Sequence, residues 1–340
     1  MLSNSQLAEL LSREAERAEG IRRRAFRRAA RSAFLWPEHV AVLLEQGRAL
    51  EELHSVGPFI AAQLRKWIED PPRDLQKSPA IRRDFLAAAD ARQLLDAQPT
   101  WRTRLRGDLQ MHTQWSDGSG TIGEMAAAAA ERSYEYIAIT DHTKGLSIAG
   151  GIDEAQLAEQ AEEIARVNRD ANVTVLRSAE LNLSTRGEGD MHAKSLRKLD
   201  IVLGSFHSAL RTKEDQTPRY LAAIRNPHLQ ILGHPRGRVY NYRIGLTADW
   251  PRVFAEAAKL DKALEIDSYP DRQDLNVALL KIARKSGCRI SIGTDAHHPW
   301  QLEFIELGLA AALSAKVPAE RIINFMPLEK LKTWVASLRR

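Results

Sequence analysis

Residues 107–117 read GDLQMHTQWSD, a short strand-like run that ends in His112 and Asp117, two side chains able to hold a cation. Six further β-branched runs follow the same plan: YIAIT, VTVLRSAEL, DIVLGSF, LQILGH, KALEI and RISIGTD. Between most of them lie longer amphipathic stretches such as IGEMAAAAAERS, EAQLAEQAEEIARVNRD and QDLNVALLKIARKSG, whose apolar residues recur at helical spacing. Repeated strand-then-helix units predict a parallel sheet with right-handed crossovers, and seven of them predict an α/β barrel.

The polar residues that end these runs carry the functional signal. The first ends in His112, the second in Asp141 and His142, the third carries Glu180, the fourth runs into His207, the fifth ends in His234, and the seventh in Asp295 with His297 just beyond. A parallel barrel gathers its C-terminal strand ends on one face, so these residues would converge. A single His at a strand end is usually a hydrogen-bonded structural residue, but a whole series of them is not explained that way. Imidazole mixed with carboxylate suits Zn, Mn or Fe better than Mg or Ca. A shared carboxylate such as Glu180 would bridge two ions, an arrangement suited to phosphoryl displacement.

The motifs DLQMHTQWSDG, ITDHT, AELNL, GSFHS, GHPRGR, ALEIDSYPDRQDL and IGTDAHH resemble, in order, those of the PHP (polymerase and histidinol phosphatase) domain, over about residues 107–325. The resemblance implies a distorted (β/α)7 barrel with two or three divalent ions. It also implies the ligands His112, Asp117, His142, Glu180, His207, His234, Asp295 and His297. A ninth ligand would stand at position 110, where this chain has Gln110. A neutral amide oxygen is a weaker ligand than imidazole, so a trimmed but working centre is expected. Asn182 replaces an acidic residue and is expected to orient a neighbouring ligand. His192, His298, His39, His54 and His228 receive no chemical role. Arg236, Arg238 and Lys144 are expected to bind phosphate, with Arg238 joining Glu180 as a catalytic residue; Arg243 is as well explained as a solvated loop cation.

The 340 residues are 44% hydrophobic and 27% charged, as in a globular protein with a sizeable core. No apolar run reaches the roughly 18 residues of a membrane span, and the first twenty residues lack the order of a signal peptide, so no membrane association and a cytoplasmic location are expected. The lone Cys288 lies in an apolar run and reads as a structural thiol. The net charge of +5 is concentrated at the front: residues 1–104 hold 18 Lys/Arg against 14 Asp/Glu, and GIRRRAFRRAAR alone carries six arginines. That pattern fits either a polyanion partner or a solvated helix face.

The N-terminal third is helical by pattern, and LEELHSVGPFIAAQLRKWIE resembles a helix-hairpin-helix. Such a hairpin offers helix N-terminal amides to a DNA phosphate without regard to sequence. With FRRAARSAFL before it, residues 4–70 resemble the small N-terminal domain of family-X DNA polymerases. DNA contacts are accordingly expected at Val56, Gly57, Phe59, Arg23 and Arg27. The polymerase core itself does not fit into the short stretch between the two modules. Three regions are expected: a helix-hairpin-helix domain at 1–72, a helical linker at 73–104 and the barrel domain at 105–340. The expected activity is metal-dependent phosphoesterase action on DNA ends, as a 3′-5′ exonuclease or 3′-phosphatase. A small-molecule phosphatase of the histidinol-phosphate kind and a non-catalytic DNA-binding or scaffold protein stay open as alternatives.

Overall fold

The computed structural model describes residues 2–72 and 78–339. Residues 73–77, the first part of the expected linker, lie outside the described residues. The chain opens with α1 (Asn4–Arg17), started by a reciprocal cap in which the Ser3 hydroxyl accepts from the Gln6 amide and the Gln6 side chain accepts from the Ser3 N–H. There follow α2 (Gly20–Ser32), α3 (Val40–Glu45) and α4 (Pro58–Glu69). Their apolar stripes close on a core that includes Leu11, Phe26, Trp36, Leu43 and Leu64.

The pattern of AIRRDFLAAADARQLLDAQ predicts one helix, and the structure differs. Only a single 3-10 turn forms at Ala80–Arg82, the chain then runs extended with Asp84 at φ 63°, and α5 (Ala88–Asp96) begins afterwards. The break lets Phe85 enter the helical core against Phe34 and Tyr240, at ring distances of 5.9 and 5.2 Å. Helical spacing reports an apolar face; here two different cores claim the two halves of that face.

After α6 (Thr100–Arg104) come β1 (Gly107–Asp108), α7 (Ile122–Glu131), β2 (Tyr136–Ile139), α8 (Glu154–Asp170), β3 (Thr174–Arg177) and β4 (Glu180–Leu183). Next are α9 (Ala193–Leu196), β5 (Leu203–Phe206), α10 (Thr217–Arg225), β6 (Ile231–Leu232), α11 (Trp250–Lys259) and β7 (Ala263–Asp267). The chain ends with α12 (Val277–Ser286), β8 (Arg289–Gly293), α13 (Ile305–Ser314) and α14 (Leu328–Ser337). Every strand pairs in parallel, in the orders β1-β2-β3 and β4 through β8. Parallel bridges between His142 and Glu180 and between Met111 and Ala296 join the two sheets into a distorted (β/α)7 barrel.

The distortion has a definite place. The predicted strand VTVLRSAEL is broken at Ser178-Ala179 into β3, which pairs with β2, and β4, which pairs with β5. The Glu180 N–H is shared between the carbonyls of Thr140 and Asp141, so the kink fixes Glu180 at the end of β2. At the opposite end α14 lays Leu331, Trp334 and Val335 on the strand starts Tyr136, Leu203 and Ile231. Among the described residues no helix is long and apolar enough to cross a membrane.

Candidate metal centre

Each candidate ligand sits where a strand ends, and the ends meet. Glu180 is fully buried and is the hub: its Oε1 lies 2.7 Å from His234 Nε2 and 3.1 Å from His207 Nε2, while its Oε2 lies 3.3 Å from both His112 Nε2 and His142 Nδ1. His112 Nε2 is 2.9 Å from Asp295 Oδ1. Asp117 faces three imidazoles, at 3.4 Å from His297, 3.7 Å from His142 and 3.8 Å from His112. All eight expected ligands therefore lie together on the C-terminal face of the barrel. Seven of them form three overlapping donor groups: His112, Asp117, His142 and His297; His142, Glu180 and His207; and His112, Glu180 and Asp295. His234 joins through its contact with Glu180.

The donor set suits divalent cations on two independent grounds. Buried polar atoms are normally hydrogen-bonded. Here Nδ1 of His112, His142 and His234, Nε2 of His207, Oε2 of Glu180 and Oδ2 of Asp295 are buried without such a partner. The second ground is electrostatic. Burial would raise the Glu180 carboxyl, yet the imidazoles of His142, His234 and His207 hold it well below the usual range. Burial drives the His142 imidazolium down to about 3, leaving a neutral ring of the kind a metal requires. At His112 burial opposes a positive charge, but the hydrogen bond to Asp295 and the nearby Glu180 carboxylate favour one strongly.

Supporting contacts hold the ligands in aim. His207 Nδ1 donates to Asn182 Oδ1 at 3.1 Å, so Asn182 braces the ring of a candidate ligand. His297 Nδ1 donates to the Asp295 carbonyl at 2.6 Å, turning its Nε2 toward Asp117. Asp141, at the same rim, is spent on its neighbours: it accepts from the Thr113 amide and hydroxyl, the Ser116 hydroxyl and the Gln160 amide, and so shapes the loop that carries Asp117. Gln110 is buried at the same end of the barrel. Its amide nitrogen faces Glu265 at 2.6 and 2.7 Å from the two carboxyl oxygens, and Glu265 also accepts from the His234 N–H.

The expected phosphate handles make other contacts in this structure. Arg238 is buried, lies 3.7 Å over the Phe85 ring and donates to the carbonyls of Arg83 and Asp84. Its Nη2 fastens that segment to the loop after His234, and burial lowers its pKa to about 10. Arg236 braces its own loop through the carbonyls of Leu246 and Ile244, and Lys144 is paired with Glu154 at 2.8 Å. Arg272, half-buried, reaches the centre, with Nη1 3.3 Å from Asp295 Oδ2. It lies inside the motif ALEIDSYPDRQDL, but spacing alone does not distinguish it from Arg236 or Arg243. Glu265, inward-facing in the same motif, was readable from its alternation with apolar neighbours and was missed.

The hairpin also differs in detail. Gly57 precedes α4 in extended conformation, and the left-handed residue of the turn is Ser55, at φ 64°. Phe59 is exposed and Val56 buried. Of the two expected arginines, Arg23 donates to the Ala18 carbonyl and Arg27 is exposed. The groove between α2 and the hairpin is lined instead by Arg24 and Arg28, with Arg22 over the Phe59 ring at 5.8 Å. Cys288 is buried and without a role in the centre; burial raises its thiol to about 12.

Residues 108–294 match the PHP domain family, and the chain belongs to it. It is similar to the DNA polymerase/3′-5′ exonuclease PolX of Bacillus subtilis (strain 168), 33% identical over 234 residues, which are 68% of this chain and 41% of that protein. This chain thus spans well under half of the PolX relative. It is also similar to a probable phosphatase of Photobacterium profundum, 32% identical over 228 residues, covering 64% of this chain and 88% of the relative. A probable phosphatase of Caldicellulosiruptor bescii is 26% identical over 227 residues, covering 64% and 88%. A solved structure of histidinol phosphate phosphatase from Lactococcus lactis aligns with a TM-score of 0.43 at 17% identity, covering 63% of this chain and 94% of that one. Family membership makes the chain a metal-dependent hydrolase of phosphoester bonds.

Proposed function

We propose that the protein hydrolyses phosphoester bonds at DNA ends in the cytoplasm, as a 3′-5′ exonuclease or 3′-phosphatase. The observation that carries this reading is the attachment of the arginine-bearing helical region to the rim of the metal centre. Tyr240, in the loop that leaves the ligand His234, is planted in the helical core with its hydroxyl 2.8 Å from Ser12 Oγ. Arg31, at the end of α2, lies close enough to Asp271 for its charge to counter the burial that raises that carboxyl, and Asp271 adjoins Arg272. A strand held by its backbone along α2 and the hairpin would therefore be delivered to the site. The similarity to PolX supports the same substrate.

Two or three divalent ions, Mn, Zn or Fe, would be held by His112, Asp117, His142, Glu180, His207, His234, Asp295 and His297, and when bound supply Lewis acidity and a nucleophilic water near neutral pH. Glu180 holds the imidazoles of His112, His142, His207 and His234 around one point. Arg272, rather than Arg238, offers a guanidinium to the phosphate and counters the charge of Asp295. A 3′-labelled oligonucleotide tests the proposal: hydrolysis should stop on EDTA and return on adding Mn. Chelator-insensitive hydrolysis would overturn it. Faster turnover of histidinol phosphate than of a 3′-phosphorylated oligonucleotide would favour the small-molecule alternative that the probable phosphatases suggest.

A further inference from the structure

Large apolar side chains exposed to water are few in a soluble fold, and where they gather they mark binding surfaces. Among the described residues four of them, Ile148, Tyr242, Ile244 and Trp300, ride on the segments that leave the ligands His142, His234 and His297. They follow the strand ends that carry those residues, and of the four Trp300 is packed edge-on against Phe304 at 5.2 Å. Tyr242 is the best equipped. It is 58% exposed, with Arg211 4.5 Å over its ring and Arg243 at 5.9 Å. Arg211 comes from the segment after the ligand His207, so two ligand-bearing loops build the cluster together.

The turn that displays this ring is firmly held. Val239 and Arg243 exchange both backbone hydrogen bonds at 2.9 Å, Arg236 ties down the Ile244 carbonyl, and Tyr240 is buried on the other side in the helical core. Arg243 is itself half-buried and donates to the Gly237 carbonyl. Burial, and after it the cations of Arg272 and Arg211, hold Arg243 below its ordinary pKa, and Arg272 itself faces Asp295 at 3.3 Å. A rigid exposed aromatic set among cations is what single-stranded nucleic acid uses: the ring stacks on any base, and the arginines draw the backbone. A base inside a duplex is already stacked on both faces and cannot use such a ring.

We propose that Tyr242, flanked by Arg211 and Arg243, is a stacking platform for a base of an unpaired DNA strand whose terminal phosphoester lies at the metal centre. This deepens the DNA-end reading and rests on it. The test uses the full chain with its ions and a phosphorothioate-protected oligonucleotide bearing 2-aminopurine next to the 3′ end. The fluorescence should be quenched on binding to the wild type and to Tyr242→Trp, while Tyr242→Ala should lose the quench and bind on the order of tenfold more weakly. An abasic strand of equal length should bind wild type and Tyr242→Ala alike, which a general loss of folding or charge would not produce. Equal quenching and affinity for wild type and Tyr242→Ala on the base-bearing strand would overturn the platform. Absence of hydrolysis on every DNA end would instead sink the proposed function and leave this binding comparison readable.

Discussion

Gln110 is the residue at which the centre departs from its expected pattern, and its consequence is chemical. Its amide is engaged by Glu265, a carboxyl that burial pushes well above the usual range, and the donors that would be left for a first ion are His112, Glu180 and Asp295. An imidazole there would keep one nitrogen for Glu265 and give the other to the ion, as ligating histidines commonly do. Gln110→His is therefore expected to retain one more ion per chain through dialysis than the wild type, read by elemental analysis. An unchanged count would mean that Gln110 does not limit the first site. The same scale shows what single residues betray in a sequence. His and carboxylates announce themselves as a series, because structural roles explain one of them at a strand end, as at Asp141, and not a whole row. Arginines do not: Arg236, Arg238 and Arg272 all sit beside ligand motifs, and only the fold decides that Arg238 packs on Phe85 while Arg272 faces Asp295.

At the scale of elements, periodicity located the strands and most helices, because each is written in consecutive residues. α8 falls on EAQLAEQAEEIARVNRD from end to end. What periodicity could not locate are interruptions imposed from a distance: the break between β3 and β4 that aims Glu180, and the extended segment before α5 that seats Phe85. The hairpin supplies a sharper case. No side chain caps α4, and a Cβ built on Gly57 would meet nothing within 4 Å. On the proposed DNA reading, the open cap would leave the first free amides of α4 to a phosphate. Gly57 already has the extended conformation of a helix cap, so Gly57→Ser fits without strain, and its hydroxyl would take those amides. Stability should rise by a few tenths of a kcal/mol in thermal unfolding. Affinity for DNA should fall several-fold in the same preparation. A serine variant that binds DNA as well as the wild type would remove the hairpin from the DNA-binding surface.

For the molecule as a whole, the decisive feature is the joint between the helical region and the barrel, built from residues far apart in sequence and individually ordinary. Arg82 is buried, with bonds of 2.8 and 3.1 Å to Glu9, 2.5 Å to Glu16 and 3.0 Å to Asn241 in the barrel loop. Glu9 also meets Arg13 at 2.8 Å. Burial alone would raise the Glu9 carboxyl, but Arg82 and Arg13 together bring it below the usual 4.5. A carboxyl depressed in the folded state contributes stability above its unfolded pKa and loses that contribution as pH falls through the lower folded value. Removing one partner of a buried pair costs about 3 kcal/mol at the low end of the usual range, and Glu16 keeps part of the pairing in Glu9→Gln. Wild type should therefore exceed Glu9→Gln in stability by up to about that amount at neutral pH. The gap should close as acid is added below about pH 4.5, where wild-type Glu9 takes up its proton. If the joint also fixes how far a held strand lies from the metal centre, Glu9→Gln at neutral pH should lower kcat/KM on an oligonucleotide more than on a small phosphoester. Equal losses on both substrates would assign the joint to stability alone.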